Sequence, residues 1–100
     1  SFAFAQEKEP TFEKQDDLVK ATYYHENGAV KEVGFFKDQK LHDQWIRYDK
    51  TGKISVVANY DNGIKEGKWY VVGESSTKEI TYKANKLVKV EEKEGTDLSI

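Results

Sequence analysis

The sequence predicts an all-β protein: an antiparallel meander of repeated β-hairpins that forms a twisted open sheet of about six or seven short strands. Three observations predict this class: a 24-residue self-similarity, alternating apolar runs bounded by turn residues, and the lack of any long segment with apolar residues at helical spacing. The 100 residues are 37% hydrophobic and 13% aromatic. This favours one thin domain that uses large aromatic side chains as its core.

The first residues are predicted to be the remnant of a secretory signal. Residues 1–5 place Ala3 and Ala5 at the −3 and −1 positions of a cut before Gln6, where small residues are usual. A short alternating strand over the same residues is the alternative. The signal interpretation places the protein outside the cytoplasm, in the periplasm or secreted.

Two polar segments flank the predicted repeat domain, which spans residues 18–90. Residues 6–17 are predicted to be a flexible N-terminal arm, and residues 91–100 a flexible acidic tail, because both segments are poor in apolar residues.

The repeat organises the middle of the chain. Its two clearest copies match at positions 24 residues apart, namely Tyr24 with Tyr48, Gly28 with Gly52, Phe36 with Tyr60, and Trp45 with Trp69. A third copy around Tyr82 matches the same pattern but comes two residues early.

Each copy has the pattern of β-hairpins. Residues 54–60 alternate with apolar side chains on one face, Asn62-Gly63 is a strong tight-turn pair, and residues 68–72 return as the partner strand. In the earlier copy, residues 35–48 follow the same plan with a turn around Asp38-Gln39.

Alternation divides the aromatic side chains between two faces of the predicted sheet. One face is predicted to carry two adjacent rows that are mainly structural: Phe36, Tyr60 and Tyr82 in one, Trp45 and Trp69 in the other. The opposite face is also apolar in part, and no helix is predicted to cover it. It supplies the candidate partner-binding residues, which are Phe35, Ile46, Tyr48, Tyr70 and Val72.

The repeat resembles the bacterial variant of the MORN repeat (membrane occupation and recognition nexus). The resemblance is carried by residues 24–28, 45–48 and 67–69 together with the aromatic positions 36 and 60. It implies a twisted ribbon of hairpins and a bacterial protein, often secreted. Some relatives are labelled antitoxins, and eukaryotic arrays are linked to membranes, lipids or protein scaffolding. Asp43 and Gln39 depart from the pattern where the second copy has glycine.

The residues favour no catalytic, cofactor or metal site. The chain has no cysteine, and its two histidines, His25 and His42, lie in or near turns without motif spacing to a carboxylate. Its glycines recur at turn positions, so none forms a phosphate-binding loop. Sixteen basic residues against 18 acidic ones, dispersed along the chain, argue against nucleic-acid binding.

These observations together predict a small extracytoplasmic, non-catalytic interaction module. It would bind a protein partner through an exposed aromatic sheet face or an edge strand. The alternatives are a module that binds lipid or a membrane surface, and an antitoxin-like inhibitor. A carbohydrate platform built on Trp45 and Trp69 is a further alternative.

Overall fold

A computed structural model describes residues 8–98, which form one antiparallel sheet of nine strands. The strands are β1 (Thr11–Gln15), β2 (Leu18–Tyr24), β3 (Val30–Lys37), β4 (Lys40–Tyr48), β5 (Ile54–Asp61), β6 (Ile64–Lys65), β7 (Gly67–Val72), β8 (Ser76–Lys83) and β9 (Lys86–Glu94). They lie in chain order across the sheet, except that the short β6 pairs only with β5. The predicted all-β meander is confirmed, and the strand count is higher than predicted.

The N-terminal segment supplies one of the additional strands. β1 pairs with β2 from Thr11 opposite Thr22 to Gln15 opposite Leu18, so the segment predicted to be an arm contains a sheet strand. Phe12 explains the difference, because its ring packs edge-on against Tyr23 at 6.2 Å between centroids. The predicted signal remnant, residues 1–5, lies outside the described part of the chain.

The C-terminal boundary also differs from the prediction. β9 continues to Glu94, so residues 91–94 of the predicted acidic tail are paired with β8. All four residues are charged, so apolar alternation could not predict this part of the strand. In the sheet, the Lys93 ammonium lies 2.7 Å from the Glu79 carboxylate of β8.

The 24-residue repeat is visible in the backbone. The tight turns at residues 38–39 and 62–63 both have two consecutive residues with positive φ, and so does the turn at residues 84–85. The third turn comes two residues early because the loop between β7 and β8 has three residues, whereas the loops after β2 and β4 have five. The copies are therefore related as the sequence predicts.

The second copy of β4 is broken into β6 and β7. Glu66 N–H donates to the Asn59 carbonyl at 3.1 Å, and Gly67 has a φ of 82°. The equivalent residue of the first copy, Asp43, has a φ of 63°. Asp43 therefore adopts the left-handed conformation of the glycine that it replaces, which Asp tolerates better than most residues.

The sheet is a single layer, with extents of 54 × 36 × 20 Å and a radius of gyration of 15.5 Å. A globular domain of this length has a radius of gyration of about 13 Å. None of the described residues belongs to a helix that could span a membrane.

Both faces contain buried side chains. On one face, which we call the Trp face, Ala21, Trp45 and Ala58 are buried and five partly buried apolar side chains pack against them. On the other, which we call the Val57 face, Val57 is completely buried. Val57 is adjacent to Ala58 in β5, so their side chains point to opposite sides of the sheet.

Candidate functional site

The Val57 face carries an apolar row that crosses four adjacent strands in register. Val33 lies opposite Ile46, Ile46 opposite Val57, and Val57 opposite Tyr70. Directly opposed residues lie on one face with their Cβ atoms about 4.5–5.5 Å apart. Val57 is completely buried by its neighbours, whereas Val33, Ile46 and Tyr70 are partly exposed.

The structure brings the predicted partner-binding residues together on this face. Ile46 and Tyr70 belong to the row itself, and Phe35, Tyr48 and Val72 lie two residues farther along the same strands as row members. All five side chains are partly exposed. We call this surface, with Val33 and Val57, the Val57 patch.

Turn contacts fix the position of Tyr48 at one end of the patch. The pairing of β4 with β5 shifts between Arg47 and Tyr48, so that Tyr48 lies opposite Ile54. His25 Nε2 donates to the Tyr48 carbonyl at 2.9 Å. His42 Nδ1 accepts a hydrogen bond from Asn62 N–H at 3.0 Å. Both histidines thus connect neighbouring turns and strands.

A buried carboxylate bounds the patch on the β8 side. Glu79 lies opposite Tyr70 and is 5% exposed. Its oxygens lie 2.7 Å from Lys93 Nζ and 3.0 Å from Lys68 Nζ, and the Tyr70 hydroxyl donates to one of them at 3.3 Å. Hydrogen bonds from Lys93 and then Lys68 lower the pKa of Glu79 to about 2. The same contacts raise the pKa of both lysines.

Sequence reasoning missed this charged cluster. Glu79, Lys68 and Lys93 belong to three different strands, and nothing in their spacing along the chain marks them as a group. Only the register of β7, β8 and β9 brings them to one face.

The Trp face holds the residues of both predicted aromatic rows. Trp45 packs edge-to-face with Phe36, and Trp69 does so with both Tyr60 and Tyr82, each at 5.1 Å between centroids. Each indole therefore packs on the rings of the other predicted row, so the two rows interleave rather than run separately.

The two indoles make equivalent hydrogen bonds. Trp45 Nε1 donates to the Phe35 carbonyl and Trp69 Nε1 to the Asn59 carbonyl, both at 2.9 Å. Each acceptor lies ten residues before its indole, which is further support for the repeat.

A shallow groove lies between the indoles, with a volume of about 280 Å³. Trp45 is 6% exposed and Ala58 at its base is also buried. Trp45 thus offers almost no exposed ring surface on which a sugar could stack, whereas Trp69 is partly exposed, so the groove gives little support to a carbohydrate platform built on both indoles. At the rim, Arg47 Nη2 donates to Glu32 Oε2 at 3.3 Å. Burial, followed by the charge of Glu32, raises the pKa of Tyr60 on the same face.

A larger cleft of about 600 Å³ lies at the loop end of the sheet, between the β4–β5 loop and residues 96–98. Asp49 on its wall accepts hydrogen bonds from the Thr51 hydroxyl at 2.6 Å and from the Thr51 and Lys53 amides at 2.9 and 3.0 Å. These bonds, the Thr51 hydroxyl first, lower the pKa of Asp49. The Asp49 carboxylate therefore stabilises its own loop through these hydrogen bonds.

Within residues 8–98, no group of three or more His, Cys, Asp or Glu side chains is arranged to hold a metal ion. Comparison with protein-family models, with curated proteins and with solved structures finds no match to this chain. The geometry of the two faces is therefore the basis for assigning a function.

Proposed function

We propose that the protein is a non-catalytic interaction module that binds a protein partner through the Val57 patch. The observation that carries the proposal is the apolar row from Val33 to Tyr70, which is partly exposed on a single-layer sheet. In the described part of the chain, every strand belongs to that one sheet, and no second layer covers the row. Contiguous exposed apolar patches on proteins mark interaction surfaces.

The residue types at the patch favour a protein partner. Phe35, Tyr48 and Tyr70 are aromatic, and such residues are enriched at the centres of protein interfaces. The Tyr70 hydroxyl is already engaged by Glu79, so its ring is held in place before a partner arrives. A net charge of −2 disfavours attraction to an anionic lipid surface.

The extracytoplasmic location and the MORN resemblance are parts of the same proposal. The resemblance is supported by the repeated turns and the equivalent indole hydrogen bonds. Mass spectrometry of the protein from its native envelope fraction tests the location, with a mature N-terminus at Gln6 as the expected result. Recovery from the cytoplasm with Ser1–Gln6 intact would contradict it.

Site-specific photo-crosslinking tests the binding surface. A photoreactive phenylalanine analogue replaces Tyr48 on the Val57 patch. As the matched control, it replaces Phe12, which lies on the Trp face in the edge strand β1. We expect Tyr48 to capture a defined protein in its native extract and Phe12 not to capture it.

A purified binding assay completes the test. The captured protein, once purified, should bind the wild type and lose affinity at least about tenfold for Tyr48→Asp, because a carboxylate would be desolvated in the interface. Lys14→Gln on β1, which changes the net charge by the same amount, is the charge-matched control and should bind as the wild type does. Equal capture at both crosslinking positions, or equal affinity of Tyr48→Asp and wild type, would refute the assignment of the face.

A further inference from the structure

β9 forms one edge of the sheet, pairing with β8 on one side only within residues 8–98. It is nine residues long. Its apolar side chains Leu87, Val88 and Val90 are 58%, 61% and 51% exposed. An unpaired strand edge of this length, with its free N–H and C=O groups, is a template for pairing with another strand.

The charges of β9 are ordered along the strand. Its first half carries Lys86 and Lys89, and its second half carries Glu91, Glu92 and Glu94 with Lys93 among them. Charged side chains on an edge ordinarily prevent pairing. In β9, the order Lys89, Val90, Glu91 makes pairing with a second copy favourable in one register.

That register is antiparallel, with a two-fold axis through Val90. It places Val90 opposite Val90 of the second copy and Lys89 opposite Glu91, and the axis repeats the latter pair so that it occurs twice. β9 has a bulge at Val88, where its pairing with β8 shifts by one residue, so the register beyond the bulge brings Lys86 to the face of Lys93, whose charge is already paired with Glu79. Opposite charges that lie directly across two strands stabilise the pairing, and like charges destabilise it.

Neighbouring registers lack this complementarity. A two-fold axis perpendicular to the sheet must keep side chains on their own faces, so the axis moves in steps of one residue along the strand. Moving it to Lys89 or to Glu91 places two like charges opposite each other on the axis itself.

We propose that β9 pairs with β9 of a second copy of this chain about a two-fold axis at Val90, joining two nine-stranded sheets into one. The interface is isologous, because the same strand contributes both sides, and it therefore closes as a dimer. This inference goes beyond the proposed function and uses a different surface, because the Val57 patch lies on β3, β4, β5 and β7.

The sharpest test uses two single charge reversals, Lys89→Glu and Glu91→Lys. Either reversal alone places like charges across both copies of the central pair, and we expect the dissociation constant of the dimer to rise about tenfold or more. Mixing the two variants in equal amounts restores opposite charges at both pairs, so the mixture should form a heterodimer. Sedimentation equilibrium of the 11.5 kDa chain measures both effects.

The mixing step separates pairing between copies from pairing within a strand. Lys89 Nζ lies 2.6 Å from Glu91 in the same chain, and either reversal also breaks this contact. Mixing cannot repair a contact within one chain, so recovery of the dimer reports the contact between copies. Lys14→Glu on β1 is the control and should leave the dimer unchanged.

Cysteine crosslinking tests the register. The chain has no cysteine, and directly opposed residues of an antiparallel pair have Cα atoms about 4.5–5.5 Å apart, within the range of a disulfide. Val90→Cys should therefore form a disulfide-linked dimer on mild oxidation. Val88→Cys should not, because its two copies would lie about 13 Å apart along the strand.

Four results would overturn the inference. Three are a monomer at all concentrations up to the millimolar range, a mixture of the two reversals that stays monomeric, and equal crosslinking of Val88→Cys and Val90→Cys. The fourth is open-ended growth beyond the dimer, since that indicates pairing of β9 with β1. None of these results bears on the Val57 patch, which is tested by its own partner assay.

Discussion

Gly34→Ala is predicted to destabilise the protein through a single added methyl group. Gly34 is buried in β3, and a Cβ placed on it would overlap the Trp45 indole. The overlapping atoms belong to the fused part of the ring, which cannot bend away. Because Gly34 is not among the residues with positive φ, alanine suits its backbone, and in the folded protein the added methyl acts only through this contact.

The expected loss of stability comes from displacement of the Trp45 indole by the added methyl group. Trp45 Nε1 donates to the Phe35 carbonyl at 2.9 Å, and a displaced ring would weaken this bond, worth about 0.5–1.5 kcal/mol. Overpacking a filled site costs about 1–3 kcal/mol. Against this, replacing glycine lowers the entropy of the unfolded chain, which stabilises by about 0.4–1 kcal/mol. We expect a net loss of about 2–3 kcal/mol in the free energy of unfolding.

Urea unfolding followed by circular dichroism measures this loss, and a double-mutant cycle identifies its source. In a Trp45→Leu background the ring is absent, so Gly34→Ala should cost less than about 1 kcal/mol. Gly52→Ala is the control: its added methyl meets open space and its φ is 93°, so it reports backbone strain alone. A Gly34→Ala protein as stable as the wild type, or the same loss in both backgrounds, would refute the reasoning.

Three further predictions follow from the geometry. The pKa of Glu79 is about 2 in the folded protein against an ordinary 4.5, so its stabilising contribution is complete above pH 4.5 and is lost as the pH falls toward 2. In calorimetry, the melting temperatures of wild type and Glu79→Gln should therefore converge over that range. A constant difference between the two melting temperatures would contradict this. Gln39 has a φ of 65° where the second copy has Gly63, so Gln39→Gly should stabilise by about 0.5–1 kcal/mol in urea unfolding and Gly63→Gln should do the reverse. Trp45 is buried while Trp69 is partly exposed. Acrylamide should therefore quench fluorescence more strongly in Trp45→Phe, which retains Trp69, than in Trp69→Phe, which retains Trp45. Equal quenching of the two variants would count against the assigned burial.

The central hairpins could be predicted because their signals are local. A tight turn needs two residues that tolerate positive φ, and Asn62-Gly63 supplies them in adjacent positions. Because the repeat aligns Asp38-Gln39 with Asn62-Gly63, the same tight turn is predicted at Asp38-Gln39, whose residue types alone are less specific for such a turn. The third copy around Tyr82 follows the same plan, and the structure places its turn at residues 84–85, two residues early because of the shorter loop before it.

The edges of the sheet could not be predicted in the same way. An edge strand has one hydrogen-bonding edge exposed to solvent, and charged residues there limit its pairing with other chains. The compositions of β1 and of the end of β9 are therefore like that of a disordered segment. β1 has one large apolar side chain, Phe12, whose packing on Tyr23 depends on the register of β2. The Glu79 cluster depends on register as well, because its three residues come from three strands.

The Val57 patch illustrates why stability and binding are coupled in a single-layer sheet. No second layer in the described residues covers Val57, so its complete burial must come from its neighbours on the same face, among them Ile46 and Tyr70 opposite it. The side chains that would contact a partner are thus also part of the small core. Replacing Ile46 would expose Val57 and lower stability and binding together. Tyr48 lies two residues farther from Val57, opposite Ile54, so replacing it should affect binding more than stability. For this reason Tyr48, and not Ile46, is the position at which binding can be tested with the fold intact.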